Sequence, residues 1–269
     1  MSEKKYILLT HGGAGSKSEY QDGARRAADV GVEVIKSEAS VMDVVCRTIA
    51  VLEDDSRFNA GVGSHPRADG SVEMDAAVMD STGHFGAVAA IPGFKNPIHV
   101  AQAVTRTEYK VLAGQGAAQF AEKAGFQPLT ADQVSARGVD FSTGESTTDT
   151  VGCVAFDGKN FAAGLSTGGI RGAIPGRVGD VPLIGCGLYA GPAGAVATTG
   201  DGETIAMHLT SIRAYQMIQR GDAPEKVLEE VLNWFYPTDS AFGLILVNHD
   251  GYAGGCNRSM AWAAVSEEK

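Results

Sequence analysis

From Gln127 to Asp149 the chain is rich in Ser, Thr, Asp and Gly, carries few large apolar side chains and shows neither the helical nor the strand period. Such a segment is a loop or linker. Regular structure must therefore be built in two halves, residues 1–149 with the linker at their end and residues 150–269. The second half opens abruptly on Thr150-Val151-Gly152-Cys153-Val154-Ala155-Phe156, an apolar and strongly β-forming run.

In the first half Tyr6–Leu9 has a buried-strand pattern that runs into a predicted loop, His11-Gly12-Gly13-Ala14-Gly15. A helix is expected from about Tyr20 to Lys36. Another starts at Ser40, where Ser-x-x-Asp resembles a capping box and Val41, Val44, Val45, Thr48, Ile49 and Leu52 recur at helical spacing. Asp69-Gly70 and Thr82-Gly83 punctuate Ser71–Ile91 into paired strands, and Asn96-Pro97 opens a long helix reaching about Ala124. In the second half Asp157-Gly158 joins Thr150–Phe156 to Phe161–Leu165 as a hairpin, and Gly194–Thr198 is a further strand. Helices at about Glu203–Gln219 and Pro224–Trp234 precede a last antiparallel pair, Phe242–Val247 and Tyr252–Val265. Two strand-rich halves that each supply helices predict an α/β protein with sheets sandwiched between helix layers.

Composition narrows the function. No apolar run approaches the roughly 20 residues of a membrane span, and the N-terminus lacks a secretory pattern, so a cytoplasmic protein is expected. A formal charge of −10 with no cluster of Lys and Arg argues against nucleic acid. Cys46, Cys153, Cys186 and Cys256 are widely spaced, without CxxC, and are expected to be buried free thiols. The six histidines show no HxxxH or HExxH spacing, and neither GxGxxG with its distant acidic partner nor GxxxxGK[ST] occurs. The 35 glycines, by contrast, are about twice the usual share of roughly 7%. Many stand beside Asn, Asp, Ser or Thr, so tight loops carry much of the chain's specificity.

Thr147-Thr148-Asp149-Thr150-Val151-Gly152 puts a threonine at the junction of linker and strand. A threonine hydroxyl is a weak nucleophile without a base, and an N-terminal threonine has one in its own α-amine, whose pKa of about 7.7–8 leaves it partly unprotonated near neutral pH. Taken alone, the segment is better explained by a strand that begins with a β-branched residue. Three further strings weigh on the choice: Ser166-Thr167-Gly168-Gly169, Gly176-Arg177-Val178-Gly179-Asp180 and Thr198-Thr199-Gly200-Asp201-Gly202-Glu203. Thr199 and Gly200, just before a helix, could donate to a developing oxyanion. Arg177 and Asp180 are suited to an α-carboxylate and an α-ammonium, the two charges of an amino-acid-like substrate.

With His11-Gly12-Gly13-Ala14-Gly15, Leu52-Glu53-Asp54, Phe58-Asn59-Ala60-Gly61, Met74-Asp75-Ala76, Lys95-Asn96-Pro97-Ile98 and Asp149-Thr150-Val151-Gly152, these strings resemble, in order and over nearly the whole chain, the plant-type asparaginase and isoaspartyl peptidase family, the threonine branch of the Ntn-hydrolases. The resemblance implies a four-layer αββα sandwich, one Ntn-hydrolase domain cut between Asp149 and Thr150 into α and β subunits. It makes Thr150 the nucleophile, assisted by Thr167, with Thr199 and Gly200 as oxyanion hole. Arg177, Asp180 and Gly202 would hold the substrate's α-groups, and Asn59 with His11, Gly12 and Gly13 would support the nucleophile. The loop of Leu52, Glu53, Phe58 and Ala60 resembles one that binds a structural sodium ion through backbone carbonyls. No cofactor is implied for catalysis. The implied substrate is asparagine or a β-aspartyl dipeptide, and the implied assembly a homodimer of cleaved αβ units.

Some positions depart from the commonest pattern. Asp149 stands where most asparaginase relatives have glycine, as in glycosylasparaginases and taspase-type proteases, whereas His11-Gly12-Gly13 and Ser166-Thr167-Gly168-Gly169 are similar to the asparaginase branch. Val181 replaces a usual serine, and Asn257-Arg258-Ser259-Met260 follows the usual Asn-Thr-x-x-Met loosely. A glycosylasparaginase-like or taspase-like hydrolase, or a poorly processed relative that only binds a partner, is the alternative.

Overall fold

The computed structural model describes residues 6–130, 150–236 and 240–267. Asp149 and most of the linker lie outside them. The described strands form a seven-stranded and a four-stranded sheet, and the alternation of side chains within each strand explains the layering. In β5 (Val151–Phe156) the odd positions Val151, Cys153 and Ala155 join an apolar cluster with α1 (Gln21–Lys36), α2 (Val41–Glu53), α3 (Pro97–Val104) and α4 (Gly114–Lys123). Its even positions Val154 and Phe156 meet Leu188, Ala195, Ala197, Ile245 and Val247 of the second sheet. On that sheet's far side Val196, Leu244 and Leu246 pack on Ile205 of α5 (Gly202–His208), Ala214 and Met217 of α6 (Thr210–Gln219), and Val227 and Val231 of α7 (Pro224–Asn233). Helices, sheet, sheet and helices thus stack in four layers. Each large aliphatic or aromatic side chain buried this way contributes about 1.5–3 kcal/mol.

The larger sheet has the order β11 (Met260–Glu267), β1 (Tyr6–Ala14), β5, β6 (Phe161–Thr167), β2 (Glu73–Asp80), β3 (Phe85–Pro92), β4 (Val111–Ala113). The smaller runs β10 (Tyr252–Cys256), β9 (Phe242–Asn248), β8 (Gly194–Gly200), β7 (Leu188–Gly191). Local signals hold where they are strong. Ser40 caps α2 by accepting the Asp43 N–H at 3.1 Å, and Asp157 accepts the N–H groups of Lys159 and Asn160 in the β5–β6 turn.

Four expectations are corrected. The first strand continues through His11-Gly12-Gly13 to Ala14, because β11 and β5 offer partners on both sides and a register shift absorbs the glycines. The helix predicted from Asn96 to Ala124 breaks after Val104, where residues 111–113 pair in parallel with β3 before Gly114, at φ +53°, opens α4. The helix predicted at Glu203–Gln219 is split at Leu209, which sits at φ +50° between α5 and α6. Tyr252–Val265 is not one strand but two, with β10 on the smaller sheet and β11 on the larger. Cys46, Cys153 and Cys186 are buried and free, while Cys256 is half-buried. Among the described residues no helix is long and apolar enough to cross a membrane.

The Phe58–Ser64 loop depends on one close approach. A Cβ at Gly63 would stand 1.5 Å from the Phe58 carbonyl oxygen. Gly63→Ala is expected to destabilise the fold by about 2–3 kcal/mol, seen as a lower urea midpoint at unchanged m-value; an unshifted midpoint would show that the loop yields freely.

Candidate active site

Strand register brings the chemistry together. Val151 lies opposite Ser166 in the antiparallel β5–β6 pair, so Thr150 and Thr167, one step further, face each other across the ladder. Directly opposed side chains have Cβ atoms about 4.5–5.5 Å apart, within reach of two hydroxyls. On the other flank of β6, Asp75 lies opposite Thr167. Thr150, Thr167 and Asp75 continue the alternation of Val154, Leu165 and Ala77, so the row points between the two sheets. All three are buried.

The second sheet supplies the facing wall. β8 ends at Thr199 and Gly200, and Asp201 then caps α5 by accepting the Thr204 N–H at 3.0 Å. Gly200 has φ +135°, and a Cβ there would lie 2.0 Å from the Ala241 carbonyl oxygen, so no larger residue fits. Thr199 is fully buried and its hydroxyl oxygen accepts the Ala14 N–H at 3.1 Å, leaving its own hydrogen to donate.

One pocket is lined by Thr150, Thr167, Gly169, Arg177, Asp180, Gly200 and Gly202, with Ile170 and Gly179 completing it. Gly202 is needed as glycine, because a Cβ would stand 2.9 Å from Asp180 Oδ1 and 3.0 Å from Arg177 Nη2. Asp180 Oδ2 is buried with no hydrogen-bond partner among the described residues. Burial pushes this carboxyl up to about 7, with the Arg177 guanidinium opposing the shift. An unpaired buried carboxylate is costly unless a cation joins it, so the pocket favours a ligand that carries one.

The supporting residues take their places below this pocket. Asn59 donates to the Gly169 carbonyl at 2.6 Å, accepts the His65 N–H at 2.9 Å, and its own carbonyl accepts the Gly168 N–H at 2.9 Å. It thereby pins the turn after β6. His11 lies opposite Gly152, whose missing side chain makes room for the ring: a Cβ there would be 2.3 Å from Nε2. Burial pushes the His11 imidazole down to about 3, so it is neutral and acts as packing beside the Thr150 main chain. Gly12 clears the Phe58 ring in the same way.

In the loop of Leu52, Glu53, Phe58 and Ala60, the carbonyls of Phe58 and Ala60 accept one backbone N–H each, from Ala60 and Gly63, while that of Leu52 accepts from Asp54 and Asp55. The Phe58 and Ala60 oxygens each keep a second lone pair, and neutral oxygens of this kind suit a monovalent hard cation. The Glu53 side chain adds no charge at neutral pH, because burial pushes its carboxyl up to about 8.

Three features escape a sequence reading. Arg177 does not stand open: Glu203 receives its Nε at 2.9 Å and its Nη2 at 2.6 Å. Glu203 follows Gly202 directly, yet nothing local announces which arginine it meets. Asp75 accepts the Ala90 N–H at 2.7 Å and reaches the Gly179 N–H at 3.5 Å, steadying the residue before Asp180. Arg67, wholly buried, donates to the Arg177 carbonyl at 3.2 Å and so braces the same loop.

Comparison with known proteins agrees with this geometry. The chain matches the asparaginase family over residues 4–137 and 128–269. It is 36% identical over 290 residues to the isoaspartyl peptidase/L-asparaginase of Macaca fascicularis, covering 98% of this chain and 94% of that one. To the mouse protein of the same name it is 35% identical over 289 residues, 98% of this chain and 89% of that one. The plant-type L-asparaginase of Pyrococcus furiosus is 35% identical over 297 residues, 97% of this chain and 96% of that one. On full-length matches of this order, with strand ends that bring the family's motifs into one pocket, the chain belongs to the plant-type asparaginase family.

Proposed function

We propose that this protein is a self-cleaving threonine amidohydrolase of the Ntn-hydrolase type, acting on the β-amide of asparagine or of β-aspartyl dipeptides. The observation that carries the reading is the Thr150–Thr167 pair facing Arg177 and the orphaned Asp180 carboxylate in a single pocket.

In the precursor, Thr150 Oγ attacks the Asp149 carbonyl carbon, the acyl group passes from nitrogen to oxygen, and water hydrolyses the ester. Thr150 is left with a free α-amine. That amine takes the hydroxyl proton in the mature enzyme while Oγ adds to the substrate's side-chain carbonyl. Thr199 and Gly200 hydrogen-bond the oxyanion of the tetrahedral intermediate, and Thr167 orients the nucleophile from the neighbouring strand. Collapse breaks the C–N bond, the leaving amine carries off a proton, and water releases aspartate from the ester. Asp180 holds the α-ammonium, Arg177 the α-carboxylate, and Gly202 leaves room between them. A structural sodium ion on the carbonyls of Leu52, Glu53, Phe58 and Ala60 would brace the loop that presents Asn59, with no part in the chemistry.

Intact mass and N-terminal sequencing after incubation near neutral pH test the first act. Two fragments, the second starting Thr150-Val151-Gly152, are expected; a single persistent chain overturns the proposal in favour of a binding-only relative. The Arg177–Glu203 pair adds a second expectation. A substrate carboxylate must share or displace Glu203, whose side chain is 60% exposed while that of Arg177 is 14% exposed, and a pair open to solvent on one side is worth about 1 kcal/mol. Glu203→Gln should therefore lower KM by about two- to fivefold; a raised KM would instead make Glu203 a substrate contact.

A further inference from the structure

Arg67 takes no part in the chemistry proposed above, yet it is among the largest side chains wholly withdrawn from solvent. Burying a guanidinium is costly unless close partners compensate it. Its partners belong to the chain that underlies the substrate end of the pocket. Nη2 donates to the carbonyls of Glu73 and Arg177, both at 3.2 Å, and Nε stands 3.3 Å from Glu73 Oε2. Nη1 has no hydrogen-bond partner among the described residues and lies against Gly169 of the pocket lining, where a Cβ would come within 2.5 Å of it.

In the loop Gly176–Asp180, which carries both clamp residues, Gly176, Arg177 and Gly179 are each held from this side. Glu73 Oε2 accepts the Gly176 N–H at 2.7 Å, Arg67 donates to the Arg177 carbonyl, and Asp75 reaches the Gly179 N–H at 3.5 Å. Arg67 is the positive charge common to the two carboxylates. It pairs with Glu73, and together with the Ala90 N–H it opposes the upward push of burial on the Asp75 carboxyl. Backbone bonds fasten the adjoining chain to the same segment, from the Ala68 N–H to the Ala173 carbonyl at 2.9 Å and from the Gly172 N–H to the Pro66 carbonyl at 3.0 Å. A buried ion pair is a poor source of stability, since apolar side chains of like volume often serve as well. What a guanidinium adds is a rigid fork that fixes several acceptors at set positions.

We propose that Arg67 is a positioning residue: it holds the main chain of Arg177 so that the Arg177 guanidinium and the Asp180 carboxylate meet the two α-groups of the substrate together. The inference rests on the proposed amidohydrolase reading and adds a residue to the substrate end of its pocket. Self-cleavage sets Thr150 on the Asp149 carbonyl and uses no clamp for α-groups, so it does not need Arg67. The clamp grips the α-groups alike in the bound substrate and in the transition state, so loosening it raises KM and leaves kcat nearly unchanged.

The test follows self-cleavage by mass, the thermal midpoint, and kcat and KM on asparagine and β-aspartyl-alanine in the natural chain, Arg67→Met and Arg67→Lys. Arg67→Met, an apolar replacement, should cleave at the natural rate, raise KM by about tenfold and keep kcat within about threefold. The inhibition constant of aspartate, which carries the same α-groups, should rise by the same factor as KM. Arg67→Lys, which keeps the charge and loses the fork, should fall between the two. A natural KM in Arg67→Met would overturn the proposal. So would losses of kcat and self-cleavage that run with a lowered thermal midpoint, because these mark a brace of the fold alone. If Arg67→Met does not fold, Arg67→Lys decides: a raised KM at natural kcat supports the role, and a natural KM overturns it. A natural chain that cleaves itself but hydrolyses neither substrate would instead sink the amidohydrolase reading, and the positioning role with it.

Discussion

Thr150→Ala is expected to yield a chain that stays whole and releases neither ammonia nor aspartate, a loss of at least about a thousandfold in kcat. The argument is structural as well as chemical. Thr150 is buried immediately before β5, opposite Thr167, and the register that places it is held by β1 and β6 on either side. Removing one hydroxyl and one methyl there leaves that ladder intact, so the variant should fold normally, with an unchanged thermal midpoint. In the proposed mechanism self-cleavage and turnover share one nucleophile, so both should fail together. Thr150→Ser, which keeps the oxygen, should cleave slowly and retain part of the activity. Normal cleavage in Thr150→Ala, read by mass, would remove Thr150 from the mechanism.

Replacing Asp180 by asparagine is expected to lower kcat/KM by about a hundredfold and to change the pH profile. A buried, charge-assisted contact with the substrate ammonium is worth up to about 3 kcal/mol, which sets that factor. The carboxyl must be ionised to attract the ammonium, and burial holds its pKa up at about 7. In the natural chain kcat/KM should therefore fall as pH drops below about 7, adding to the loss from protonation of the Thr150 amine at about 7.7–8. Asp180→Asn should keep only the amine's limb, so its acid side is less steep. An unchanged profile would mean that the substrate ammonium is held elsewhere. Stability moves the opposite way for this group: its folded pKa is raised, so the folded state holds more protons between about 4 and 7, and the contribution of Asp180 to stability declines as pH rises through that window.

How far the site could be read in advance depends on the range of each interaction. Ser40 and Asp43, three residues apart, make the predicted cap, and Asp157-Gly158 makes the predicted turn, because those contacts close within four residues. The motifs containing Thr167, Arg177, Asp180, Gly200 and Gly202 do converge with Thr150, as their resemblance to a known family implied. Thr199 stands just behind that lining, tied to Ala14. The pairing of Arg177 with Glu203, 26 residues away, and the bracing of the same loop by Arg67, 110 residues away, had no local signature.

The sequence by itself determined where several of the helices and strands begin, which of their faces are apolar, and which residues have the chemistry of a nucleophile and of an amino-acid clamp, because periodicity, turn residues and functional groups are properties of short stretches. Only the tertiary structure decided the rest. It broke the predicted helices at Val104 and Leu209, sent β10 and β11 to different sheets, and extended β1 through its glycines. It also buried His11 and Asp180 deeply enough to move their proton affinities in directions that no isolated residue shows. The physical reason is common to all of these. Strand partners, buried charge and desolvation depend on what the remainder of the chain brings alongside, and that is settled only when two sheets and their helices close on one core.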